Sequence, residues 1–308
     1  MNTTQITAGR GSHFSRILTI ALNTFTQLVR MKVFYFLAPF ALLPIAANFF
    51  DLQELEGPAS VGVNALRSIK NWALGPMFIY SIVLAVVATS LLLPKDLEDR
   101  TLYTILAKPV PRFDYLVGKL FGVIGLLLFT LLIMDLLMVG VLSVRTEIVV
   151  EERLAMSRQM GFPEEALRSI ESETRALGPS WALQAAVLSI FLKAIVIAAF
   201  AMLVSTFSSS TLFTAIVSVL MFAVGHFQAY ARDFYLQSGE AGQTILTKAV
   251  ALIFTLVIPD FQIFNVSDGY IENPETSTAV VFKLVGMATY YCIFFTLAAW
   301  FIFSDKEI

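Results

Sequence analysis

Two ionisable residues stand where a bilayer would make them costly: Asp135, inside LLIMDLLMV, and Lys193, inside SIFLKAIVIAA. A charge in such a run is retained for a partner, a proton relay or an aqueous path. Counting about 1.5 Å per residue from the outer ends of the two runs sets them at similar depth. The sequence therefore predicts an Asp135–Lys193 pair that fixes helix register, with a substrate path as the alternative. Other chemistry is sparse. His13 and His226 are far apart and neither belongs to an H-E-x-x-H pattern. Cys292 is the only cysteine, which excludes an internal disulfide and a thiolate metal cluster. Gly118-Lys119 is followed by Leu120 without the upstream glycine of a phosphate-cradling loop, and no G-x-S-x-G surrounds a serine. The expectation is no catalytic, cofactor or metal site; an intramembrane enzyme would have to draw on Asp135 and His226.

The elements that carry these residues are set by composition. Hydrophobic residues are 57% of the 308 and charged residues 14%, against roughly 25% charged in a soluble domain. With a mean hydropathy of +0.76, the chain has too little polar surface to cover a water-facing core. About 20 apolar residues cross a bilayer, and six runs qualify, at about 31–50, 72–94, 116–144, 182–206, 210–230 and 279–303. A seventh, Ala249 to Ile258, is bounded by Lys248 and Pro259-Asp260 and is too short to span, so it reads as a re-entrant helix. The fold class expected is all-α, with six transmembrane helices and no nucleic-acid partner.

Before the first span, Phe14, Ile17, Leu18, Ala21, Phe25, Leu28 and Val29 recur at helical spacing opposite polar residues. They predict that residues 1–30 hold a cytoplasmic N-terminus and an amphipathic elbow helix lying in the interface, the alternative being an N-terminal extension of the first span. The start of the chain lacks the pattern of a cleaved secretory signal. Arg145 to Ser180 predicts an external hairpin of two short helices broken at Gly161-Phe162-Pro163, or else a solvated spacer. Gly75-Pro76 is a candidate kink in span two. Ala194, Ala198, Ala199 and Ala201 form a small-residue face open to helix packing between chains. Tyr230, Tyr235, Tyr270, Tyr290 and Tyr291 read as interfacial anchors.

The connection between spans two and three, PKDLEDRTLYTILAKPVPRFDYLVGK, holds Lys95, Arg100, Lys108, Arg112 and Lys119. Short basic loops stay on the cytoplasmic side, so both chain ends are expected inside. Asp96 to Ala107 alternates charges with Leu97, Leu102, Ile105 and Leu106, a short amphipathic helix closed by Lys108-Pro109. Displayed beneath a membrane, it could enter a groove on a soluble partner; an ordinary loop that anchors topology is the alternative.

At Glu98-Asp99-Arg100, Leu106-Ala107-Lys108-Pro109-Val110, Arg112, Tyr115 and Gly118-Lys119 the sequence resembles the ABC-2 family of ABC transporter permeases. More weakly, the likeness extends to an elbow helix before span one, six spans, a tight turn at Ser205 to Ser210 and a short helix before span six. The long external hairpin departs from the family's sugar and drug exporters. The resemblance implies a permease of the bacterial inner membrane, embedded in lipid and paired with a second permease copy as a homodimer or heterodimer. It also implies a separate ATP-binding subunit that holds ATP and magnesium. Contact with that subunit would run through a coupling helix using Leu97, Glu98, Asp99, Arg100, Leu102, Tyr103, Leu106, Lys108 and Arg112. A membrane scaffold recruiting an external partner through 145–180 is the rival reading.

Overall fold

The computed structural model describes residues 13–31, 35, 39, 62–98, 111–237, 257–265 and 278–305. They form helices and turns, with no strand among the described residues. The helices are α1 (His13–Val29), α2 (Val63–Glu98), α3 (Arg112–Gln159), α4 (Glu164–Ala176), α5 (Trp181–Phe207), α6 (Thr211–Gln237) and α7 (Thr278–Ser304). Five of these, α2, α3, α5, α6 and α7, are long and apolar enough to cross a bilayer, which makes the chain a multi-pass membrane protein. Nearly all of the expected span at 31–50, residues 99–110 of the coupling segment and most of Ala249 to Ile258 lie outside the described residues.

α5 is apolar on every side, and a helix of that kind belongs inside a bundle. It packs against α2, α3, α6 and α7. Ala194, Ala198, Ala199 and Ala201 are fully buried there, so the small-residue face expected to meet a second chain is consumed within this one. Small side chains let the four neighbours approach closely. Residues 208–210 turn the chain into α6, where the Ser210 hydroxyl accepts from the Phe213 amide at 3.3 Å and caps the new helix. α2 continues through Gly75-Pro76 and Pro94 as one helix.

α3 runs without interruption for 48 residues, about 72 Å at 1.5 Å per residue. That is more than twice the roughly 30 Å hydrocarbon core. The first arm of the expected hairpin is therefore the far end of span three rather than a separate short helix. Its physical cause is the absence of a breaker: TEIVVEERLAMSRQ is mostly good helix formers without proline. The break comes at Gly161, whose φ of 77° suits a residue without Cβ. α4 then starts after Pro163 with Glu164 and Glu165 in its first turn, where carboxylates favour the helix dipole. The return arm is braced to α3. Arg175 pairs with Glu147 of α3, and with Glu171 of its own helix at 3.0 Å. Arg153 donates to the buried Thr174 hydroxyl at 2.7 Å.

α1 lies parallel to α3. His13 meets Asp114, Ile20 meets Gly118, Thr24 meets Gly122, and Phe25 meets Gly125 and Phe129. A helix in the plane of the interface would cross a spanning helix steeply and touch it at one turn. α1 instead touches at each successive turn and runs alongside this part of α3. Gly118 and Gly122 form a G-x-x-x-G step that permits this approach. A Cβ on Gly118 would sit 2.7 Å from Ile20, and one on Gly122 would sit 2.6 Å from Thr24, whereas one on Gly125 would be 3.7 Å from Phe25. Gly118→Ala and Gly122→Ala are accordingly expected to lower stability by about 1–3 kcal/mol each through overpacking. Gly125→Ala should be neutral or slightly stabilising through helix propensity. Thermal melts of the three variants in one detergent check the difference.

Candidate functional site

The N-terminal end of α3 gathers the described part of the charged motif. Pro111 precedes the helix with φ −58° and ψ 137°, and Asp114 follows in the first turn, where a carboxylate favours the helix dipole. Asp114 is buried, 2% exposed. Its oxygens lie 3.0 and 3.1 Å from His13 Nδ1, a contact that requires the proton on that nitrogen. Arg16 Nε is 3.2 Å away as an ion pair. One carboxylate thus anchors α1 to α3 through two side chains of α1, His13 and Arg16.

Arg112 performs the same service for α7. Its Nη1 donates to the carbonyls of Phe303 and Ser304, both at 2.7 Å. The last carbonyls of a helix lack intrahelical donors, and a cation there also suits the negative end of the dipole. The guanidinium carbon lies 5.7 Å over the Phe303 ring. Phe303 in turn stacks on the fully buried Tyr115 at 6.2 Å, and Lys119 Nζ lies 5.6 Å from the Tyr115 ring. Beside them Phe113 and Trp300 meet edge to face at 6.0 Å. Arg112, Tyr115, Gly118 and Lys119, expected on the resemblance to belong to one motif, thus tie α1, α3 and α7 together at one end of the bundle. His13 and Ser304 consequently lie at that same end.

Among the other expected coupling residues, Leu97 and Glu98 close α2. Asp99, Arg100, Leu102, Tyr103, Leu106 and Lys108 lie outside the described residues.

The structure does not bring Asp135 and Lys193 together. The Asp135 Oδ1 accepts from Gln184 Nε2 at 3.1 Å, while Lys193 Nζ lies 4.7 Å over the face of Phe78. Lys193 is nine residues beyond Gln184, roughly 13.5 Å along α5, so it sits well below the carboxylate. Depth counted from paired outer ends misled because α3 has no end there and continues into the hairpin. A cation over an aromatic face, away from water, is a recognised resting place for a buried ammonium. Lys193 is 1% exposed, and Phe78 adjoins an aromatic group of Phe222, Phe261 and His226.

That group rests on a turn at 259–265 that the sequence placed merely after a short helix. The Phe261 amide donates to the Gly225 carbonyl at 3.1 Å, and Gln262 Nε2 donates to the His226 carbonyl at 3.2 Å. A Cβ on Gly225 would stand 2.5 Å from both Pro259 O and the Phe261 ring, so glycine is what admits the turn. Tyr291, expected as an interfacial anchor, is buried, and its hydroxyl reaches the Ile258 carbonyl at 3.4 Å. Gly225 is fourteen residues into α6, about 21 Å; irregular backbone at such depth is tolerated only when buried in protein. His226 meets Phe222 in a tilted ring contact at 5.2 Å, and Asp135 is engaged by Gln184 instead. Among the described residues no cluster of three or more His, Cys, Asp or Glu could hold a metal.

Gln184 and Gln262 were not singled out by sequence reasoning. The readable signal was polar residues in or beside apolar runs; the Gly118-x-x-x-Gly122 step was equally visible. No protein-family model matches this chain, and no curated protein matches it.

The two placements separate in double-mutant cycles on unfolding in mixed micelles. Asp135→Ala with Gln184→Ala should show coupling of about 0.6–1.7 kcal/mol, the range of hydrogen bonds inside membrane bundles. Asp135→Ala with Lys193→Met should be additive within about 0.5 kcal/mol. Exchanging the two charges is expected not to restore stability.

Proposed function

We propose that this chain is the permease subunit of an ABC-2-type transporter, exporting its substrate with energy from a separate ATP-binding subunit that holds ATP and magnesium. The observation that carries the reading is the tie between α1, α3 and α7 at the Arg112 end. A push on the Leu97 to Ala107 segment enters α2 and α3 directly. Through Asp114 it reaches α1, and through Arg112 it reaches α7. Closure of an ATPase pair against that segment would then displace several helices together and open a path between two permease copies, identical or related. In this reading the Arg112 end faces the cytoplasm of a bacterium, and the α3–α4 hairpin projects from the inner membrane.

A second reading has its own support. The hairpin is cross-braced by Arg175 with Glu147 and by Arg153 with Thr174, which makes it a firm platform. A scaffold that recruits an external partner would use such a platform without moving anything across.

Purification in mild detergent from the native cell distinguishes the two. The transporter reading expects an ATP-binding protein to accompany the chain. Leu102→Asp or Leu106→Asp should reduce its recovery by about tenfold or more, the scale of losing a buried anchor at an interface. A chain that stays without an ATPase, yet captures a partner lost on deleting residues 147–175, would select the scaffold.

A further inference from the structure

We infer that a groove on the membrane-facing wall of the bundle, between α3, α5 and α7, holds one acyl chain of a phospholipid from the leaflet on the Arg112 side. The groove has a volume of about 350 Å³. Val117, Phe121 and Ile124 of α3 form one wall, Ile195 of α5 the floor, and Cys292 and Thr296 of α7 the other wall. Its surface is apolar in effect. Of the two threonines that line it, Thr289 donates its hydroxyl to the Val285 carbonyl at 2.7 Å, so that polar atom is already satisfied within α7.

The dimensions select the occupant. From Phe113 to Ile124 the groove follows eleven residues of α3, about 16 Å, which is close to half of the roughly 30 Å core and so one leaflet deep. It begins at the Phe113–Trp300 pair, and aromatic rings of that kind mark the headgroup boundary. A helix from a second copy is about 10 Å wide and crosses the whole bilayer, so it has no reason to follow a channel that stops near the midplane. An acyl chain ends where the channel ends. Left empty, the concave wall would forfeit dispersion contacts along its length.

The test counts lipid on the intact chain. Native mass spectrometry after mild detergent extraction should show one phospholipid retained per chain. Thr296→Phe and Val117→Phe fill the groove from opposite walls and should each weaken retention by about tenfold, the effect of displacing two buried methylenes. Leu220→Phe, on an outward-facing position of α6 away from the groove, should keep the lipid. Should the groove variants fail to fold, the wild-type chain reconstituted with phospholipid brominated along one acyl chain supplies the second measurement. Bromine scattering is expected between Phe121 and Cys292. Absence of retained lipid, retention in both groove variants equal to that of the wild-type chain, a bound free fatty acid in its place, or density for a helix of a second copy in the groove would each overturn the assignment.

Discussion

The unbroken hydrogen-bond ladder of α3 is the constraint on which the other elements depend. A helix without a breaker curves only gently, so each neighbour is placed by the part of α3 it meets. Gly118 and Gly122 let α1 lie along the lower part, Arg112 receives the end of α7, and the segment beyond Thr146 receives α4. α5 then fills the interior against α2, α3, α6 and α7. Its lack of any polar face follows from being buried over most of its surface.

The polar groups illustrate how a lipid-embedded bundle limits its chemistry. Most Ser and Thr hydroxyls on the spanning helices turn back to carbonyls three or four residues earlier, as at Ser81, Thr89, Thr130 and Ser189. They are internally satisfied and carry little function. Other groups reach across elements, among them Arg112 to α7, Asp114 to α1, Gln184 to Asp135 and Gln262 to α6. Each joins two segments distant in sequence, and each sits where a backbone or side-chain group would otherwise lack a partner.

The sequence revealed span positions well because apolar runs end at residues that stop helices. α5 at 181–207 and α7 at 278–304 fall within a residue of the expected 182–206 and 279–303. It revealed less where a boundary depends on something absent. Nothing between Val144 and Gln159 stops a helix, so a change from apolar to charged composition was mistaken for the end of α3. The periodicity of α1 showed that one face is apolar but not what the face meets, and packing on two glycines decided that. At the site, the resemblance implied a contact of Arg112 with another subunit. Its bonds to carbonyls 191 and 192 residues away have no local signature. Asp135 was recognised as costly, but its partner is a neutral glutamine one hydrogen bond away rather than Lys193, which lies over Phe78 instead.

The length of α3 has a geometric consequence for the distance between the two faces of the protein. A stiff rod of 48 residues pivoting at its Arg112 end by about 5° carries its far tip through about 6 Å, given a length near 72 Å. The brace between Arg175 and Glu147 makes α4 travel with that tip. Small rotations beneath the bilayer are thereby magnified into displacements beyond it, and a load held at the hairpin works back on Arg112 with the same leverage.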